Sequence, residues 1–160
     1  MQTATDFFKS ALFQEVHAGA FYNKASEITH NDESRMLFLE MAQMEDDHAR
    51  SLIERAKNAP CVLDFDPYQY LTELESNMEA TISENEMNVI QNGDLRTVLA
   101  LAIELENQAR DTYEQLALKA TSPEVASYCQ EMVKIEQKHK NALTNLLLSL
   151  DMTPDERPGL

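Results

Sequence analysis

The chain has 160 residues, enough for one domain with a real core, and a formal charge of −15 at neutral pH. That charge sets it against phosphate backbones and anionic lipid surfaces, so neither nucleic acid nor membrane is expected as a partner, and small cations are. With 43% apolar residues, three glycines and no tryptophan, it lacks the turn-forming residues of a strand-rich fold, and an almost all-α protein is expected.

The first helical pattern runs from about Thr5 to Thr29, where "THND" breaks it. The second starts at Asn31 or Asp32, either of which can cap free amides, and reaches about Lys57 before "NAPC". A long connector follows, from Ala59 to Gly93, whose middle "YQYLTELESNMEATISENEMNVI" has helical propensity. The third long helix begins after "QNGD", with Asp94 as N-cap, and continues to about Ala120. The fourth opens on "TSPE", where Ser122 caps, Pro123 suits the first turn and Glu124 favours the helix dipole; it ends near Leu150. Each short turn makes its two helices an antiparallel hairpin, at about 5–57 and 94–150, with a partly helical crossover over about 58–93. One domain over 1–150 with a flexible tail, 151–160, is the expected organisation.

In the second helix the apolar stripe of Leu37, Met41, Met44 and Leu52 also contains Glu45 and His48, polar groups where a core is due. A repeat explains why. "EVHAGAFY" places Glu15, Ala18 and Tyr22 at the same intervals as Glu106, Ala109 and Tyr113 in "ENQARDTY", and "EDDH" (Glu45, His48) matches "EQKH" (Glu136, His139). The offsets 106−15, 113−22, 136−45 and 139−48 are each 91. Residues three apart share a helix face, and Phe8, Leu12, Leu99, Ala102, Met132 and Leu143 mark these faces as inward. Four carboxylates and two imidazoles therefore converge in one core, where ionised carboxylates cannot stand uncompensated. Two divalent ions bring the missing charge, and a Glu from each of two helices plus Glu-x-x-His from the other two is the ligand set of carboxylate-bridged dinuclear bundles. Oxygen and imidazole donors suit iron or manganese, with zinc as a further occupant.

At these residues the chain resembles the ferritin-like superfamily, and within it the rubrerythrin-like proteins. The resemblance implies a ferritin-like four-helix bundle and two iron ions held by Glu15, Glu45, His48, Glu106, Glu136 and His139, with Glu45 and Glu136 bridging. Tyr22 and Tyr113 are the candidate catalytic side chains beside the ligands, as hydrogen-bond donors or electron relays, with plain core packing as the alternative. Neither haem nor flavin is expected: the residue after Glu45 is Asp46, where bacterioferritins carry a haem-ligating Met. Two-module rubrerythrins add a further Glu one turn after the Glu of the third helix, where this chain has Ala109, and a four-Cys rubredoxin-like module that Cys61 and Cys129 cannot build. The implied function is reduction of H2O2 or O2 with electrons from a separate donor protein. The alternatives are an iron-sequestering ferroxidase and a metal-stabilised structural or partner-binding bundle.

Elsewhere the residues read more plainly. His17 and His30 are expected as surface or packing residues, Met36, Met41, Met44 and Met132 as core filler, and Cys61 and Cys129 as a loop thiol and a packed helix thiol. Asp46 and Asp47 form a solvated face or, more sharply, an iron-attracting path. No run reaches the ~18 apolar residues of a membrane span, and "MQTATDFFKSALF" lacks the order of an export signal, so a cytoplasmic protein is expected. Phe7, Phe21 and Phe38, taken as lying outside the metal site, suggest a homodimer.

Overall fold

The computed structural model describes residues 4–57 and 63–151. Six α-helices account for most of them: α1 Ala4–Ile28, α2 Asp32–Lys57, α3 Pro67–Glu75, α4 Glu84–Asn92, α5 Leu95–Lys119 and α6 Pro123–Ser149, with a 3₁₀ turn at Met78–Thr81. No strand occurs among the described residues. The tail from 152 and Cys61 lie outside the described residues, so the expectations placed on them are not addressed by the structure.

The helix boundaries follow from capping chemistry. Asn31 caps α2, its Oδ1 accepting the Ser34 amide at 2.9 Å. Asp94 Oδ1 accepts from the Thr97 amide at 2.9 Å. Ser122 Oγ accepts from the Val125 amide, with Pro123 in the first turn of α6. Ser122 is fully buried, and Ser122→Ala is expected to cost about 1 kcal/mol, read as a lower urea midpoint at unchanged m-value.

α1 packs chiefly on α2 and α5 on α6, while α1 also meets α5, and α2 meets α6. The core divides into two apolar clusters at opposite ends of this four-helix bundle. Phe8 and Leu12 of α1, Leu52 and Ile53 of α2, Leu116 of α5 and Val125 and Met132 of α6 form one. Phe21 and Ala25, Phe38 and Met41, Leu99 and Ala102, and Leu143 and Leu146 form the other. Chain direction between the clusters makes every pair of touching long helices antiparallel. Between the clusters each helix buries carboxylate or imidazole side chains: Glu15, Glu45 and His48, Glu106, and Glu136 and His139.

The connector lies against the outside of this frame. Asp66 caps α3 through the Tyr68 and Gln69 amides, and Ser83 with Glu86 forms a capping box on α4. Both Glu86 oxygens also lie within 3.0 Å of His17 Nε2, which ties α4 to α1 and gives His17 its packing role. Met78, in the 3₁₀ turn, packs against both apolar clusters.

Two expectations are corrected. Phe21 and Phe38 are completely buried in the chain's own core and lie on no outer face, while Phe7 is half-buried. The reason is angular: covering by α5, α6 and the connector widens the inward stripe beyond what two helices alone would need. Met36, by contrast, is 67% exposed and fills no core, because it stands two residues before Phe38, on the opposite side of α2. Cys129 is buried, as a packed thiol should be, and its surroundings push its pKa up to about 12.

Candidate metal centre

Burial forces the polar residues of the core to answer to one another. Glu15, Glu45, Glu106 and Glu136 are each 2% exposed or less, and His48 and His139 are buried with them. Helix spacing sets each Glu-His pair one turn apart on α2 and on α6, and the antiparallel packing brings both pairs to the same height between the clusters. His48 Nδ1 lies 3.6 Å from Glu15, 3.8 Å from Glu45 and 3.8 Å from Glu136. His139 Nδ1 lies 3.4 Å from Glu45, 3.6 Å from Glu106 and 3.6 Å from Glu136. The two imidazoles stack with centroids 5.9 Å apart and 17° between their planes.

Two groups of four ligand atoms result, each with all its atoms within 4.8 Å of one another. One consists of Glu15, Glu45, His48 and Glu136, the other of Glu45, Glu106, Glu136 and His139. Glu45 and Glu136 belong to both, so the arrangement is two candidate sites sharing two carboxylates. All six residues expected as ligands from the sequence are brought together; His17 and His30 are not.

The tyrosines cross between the halves. Tyr22 of α1 donates to Glu106 Oε1 of α5 at 2.5 Å, and Tyr113 of α5 donates to Glu15 Oε1 of α1 at 2.5 Å. Each bond leaves the carboxylate's other oxygen, Oε2, without a partner. Unpaired buried atoms elsewhere in the site are Glu45 Oε1, both oxygens of Glu136, Nδ1 of both histidines and His139 Nε2. Buried polar atoms are normally satisfied, and a bound cation would satisfy this concentration of orphans. The donors are carboxylate oxygen and imidazole nitrogen without thiolate, a set that fits divalent iron, manganese or zinc.

Electrostatics agree. Burial, then the neighbouring Glu45 carboxylate, pushes Glu15 well above the usual carboxylate range, and burial and Glu45 do the same to Glu136. Burial raises Glu45 as well. At Glu106 burial is outweighed by the nearby Glu136 carboxyl and His139 imidazole and by the Tyr22 hydroxyl, and the pKa is lowered. Burial works against a charge on His139, yet contacts with Glu106, Glu136 and Glu45 lift it to about 12. Without cations, then, the cluster draws in protons to offset its own charge.

Sequence reasoning missed Tyr128, whose hydroxyl donates to the backbone carbonyl of His48 at 3.1 Å and fixes α2 against α6 at the ligand. Its signal was present: Tyr128, Met132 and Glu136 lie at successive four-residue steps along one face of α6. A cavity of about 320 Å³ reaches the site between α1 and α2, with Glu15 and Glu45 on its wall. Removing one Tyr hydroxyl should expose its dependence on the carboxylate. Tyr22→Phe leaves Glu106 Oε1 without its donor and is expected to cost about 1–3 kcal/mol in thermal unfolding of the metal-free protein. An equal melting temperature for the variant would show the bond to be idle.

No helix among the described residues is long and apolar enough to cross a membrane. Compared with known families, the chain matches the family model described as Rubrerythrin over residues 6–93 and 97–158. No similar curated protein and no similar solved structure was found.

Proposed function

The chain belongs to the rubrerythrin family, and from that premise we propose a non-haem dinuclear oxidoreductase on a ferritin-like bundle, reducing H2O2 or O2 with electrons from a separate donor protein. The observation that carries the reading is the pair of four-residue groups sharing Glu45 and Glu136. In this reading Glu15 and His48 would hold one ion and Glu106 and His139 the other, with Glu45 and Glu136, common to both groups, serving both. When bound, a pair of iron ions supplies the two-electron reduction that none of these side chains can perform.

The chain's own residues do the rest. Tyr22 and Tyr113 fix one oxygen of Glu106 and of Glu15, leaving the other oxygen of each aimed at the site. Burial, together with the nearby carboxylates, holds both phenols well above their usual pKa of 10, so at neutral pH they stay protonated and act as donors to those oxygens. The apolar clusters close the site at both ends and so strengthen the charge interactions between them. Tyr128 anchors the backbone of His48.

The test is anaerobic loading with Fe(II), metal analysis after desalting, and then separate additions of H2O2 and O2 while Fe(II) loss is followed. Two irons per chain, oxidised faster than free Fe(II) by at least one oxidant, is the expected result. Fewer than two, or a loaded protein no faster than free iron with either oxidant, would overturn the reading.

A further inference from the structure

The 91-residue repeat allows one half of the bundle to be compared with the other, and the halves part company beside the ligands. The shift that carries Glu15 onto Glu106 and Glu45 onto Glu136 carries Gly19 onto Arg110, Asp46 onto Gln137, Gln43 onto Lys134 and Ala49 onto Lys140. Between α5 and α6, Arg110 Nη1 donates to Gln137 Oε1 at 2.7 Å, so a side-chain bridge spans the groove. Between α1 and α2 the matching positions are Gly19 and Asp46, and both line the cavity of about 320 Å³.

Gly19 is otherwise hard to explain. It lies inside the 25-residue helix α1, where alanine would be favoured, and no positive φ occurs among the described glycines. Packing does not demand it either. A Cβ there would stand 3.6 Å from Met78 Cε, and 3.9 Å from both Glu45 Cβ and the Ala42 carbonyl oxygen, all ordinary contacts. What glycine leaves is room. The cavity wall bears Glu15 and Glu45, whose Oε2 and Oε1 respectively are buried and unpaired.

We propose that the α1–α2 crevice is the route by which a divalent cation reaches the centre, and that the Arg110–Gln137 bridge closes the repeat-related route. The inference rests on the metal-centre reading above. Charge separates the two sides. The α1–α2 rim carries Asp46 and Glu75, with Arg50 bonded to both, and oxygen donors at Asn23 and Gln43 that can replace water around a hard cation. The corresponding positions of the α5–α6 side carry Arg110, Lys134 and Lys140 against one carboxylate, Glu114 at the place of Asn23; with Arg110 paired to Asp111, the balance still disfavours a cation.

The test is the rate of Co²⁺ uptake by the metal-free full chain, followed by stopped-flow absorbance, with final stoichiometry from metal analysis. Gly19→Leu is expected to slow uptake about tenfold, a modest added barrier, at unchanged stoichiometry. Gly19→Ala, which the packing accommodates, slows it less and stands in should the leucine variant fail to fold. Adding Arg110→Ala to Gly19→Leu is expected to recover much of the rate through the opened second groove. Uptake by either folded Gly19 variant at the parent rate would overturn the route. No recovery in the double variant would overturn the closure by Arg110. Absence of Co²⁺ uptake by the parent chain would instead sink the metal-centre reading, and the route with it.

Discussion

Glu136→Gln is expected to shift the metal-free and metal-loaded proteins in opposite directions, raising the melting temperature of the first and lowering that of the second. Glu136 is 1% exposed and has no hydrogen-bond partner for either oxygen, while the Glu45 and Glu15 carboxylates raise its pKa further after burial has done most of the work. Glutamine keeps the shape and removes the charge. At pH 8 the metal-free folded chain must either bury this charge beside Glu45 or take up a proton that the unfolded chain has released; glutamine removes that cost and should stabilise by about 1–3 kcal/mol. In the loaded protein the same change strikes both ligand groups, because Glu136 belongs to each. A site held at a hundred times its dissociation constant contributes about 2.7 kcal/mol, so losing two sites outweighs the gain. Glu15→Gln, which belongs to one group, should lose about half as much metal. Glu131→Gln, exposed on the same helix as Glu136, is the control and should move neither state. Equal-sign shifts in the two states, or unchanged metal content for Glu136→Gln, would defeat the assignment of a shared carboxylate.

Much of this site was legible because helices convert spacing into direction. Glu45 with His48 and Glu136 with His139 had to share faces, and the constant offset of 91 ties those faces into one design. The caps were equally local, since Asp94 and Ser122 need only the amides three residues on. What could not be read was anything set by the partner across the bundle. The repeat gave Tyr22 and Tyr113 the same interval from their own Glu, yet each serves the Glu of the other half, a fact of inter-helix register. Phe21, Phe38 and Met36 were misplaced for a related reason, since periodicity locates a stripe but not how wide a stripe the neighbours cover. The connector showed helical propensity, but nothing in its pattern announced that Glu86 would meet His17 or that Met78 would sit over Gly19.

The pH dependence of stability is expected to reverse when metal is bound. In the metal-free protein Glu15, Glu45 and Glu136 have pKa values raised above their ordinary 4.5, and His139 is raised from 6.5 to about 12. A raised value means that the folded chain holds protons the unfolded chain has released. The slope of unfolding free energy with pH is then negative, so the stabilisation is fully present below the unfolded pKa and is lost as pH climbs through the folded one. Glu106 runs the other way, but its lowered pKa contributes change only below about 4.5. Between the ordinary histidine value of 6.5 and pH 9 the raised His139 therefore governs, with the raised carboxylates acting in the same direction, and the melting temperature of chelator-treated protein should fall as pH rises, by at most about 1.4 kcal/mol per pH unit for each proton retained. Metal competes with those same protons, since carboxylate and imidazole bind it in their deprotonated forms. Its stabilisation grows with pH, and over the same interval the loaded protein should hold or raise its melting temperature. Calorimetric scans of both forms at pH 6, 7.5 and 9 decide the matter. Parallel slopes would mean that the buried carboxylates are not where metal and protons compete; opposed slopes would place the exchange of protons for cations at this cluster.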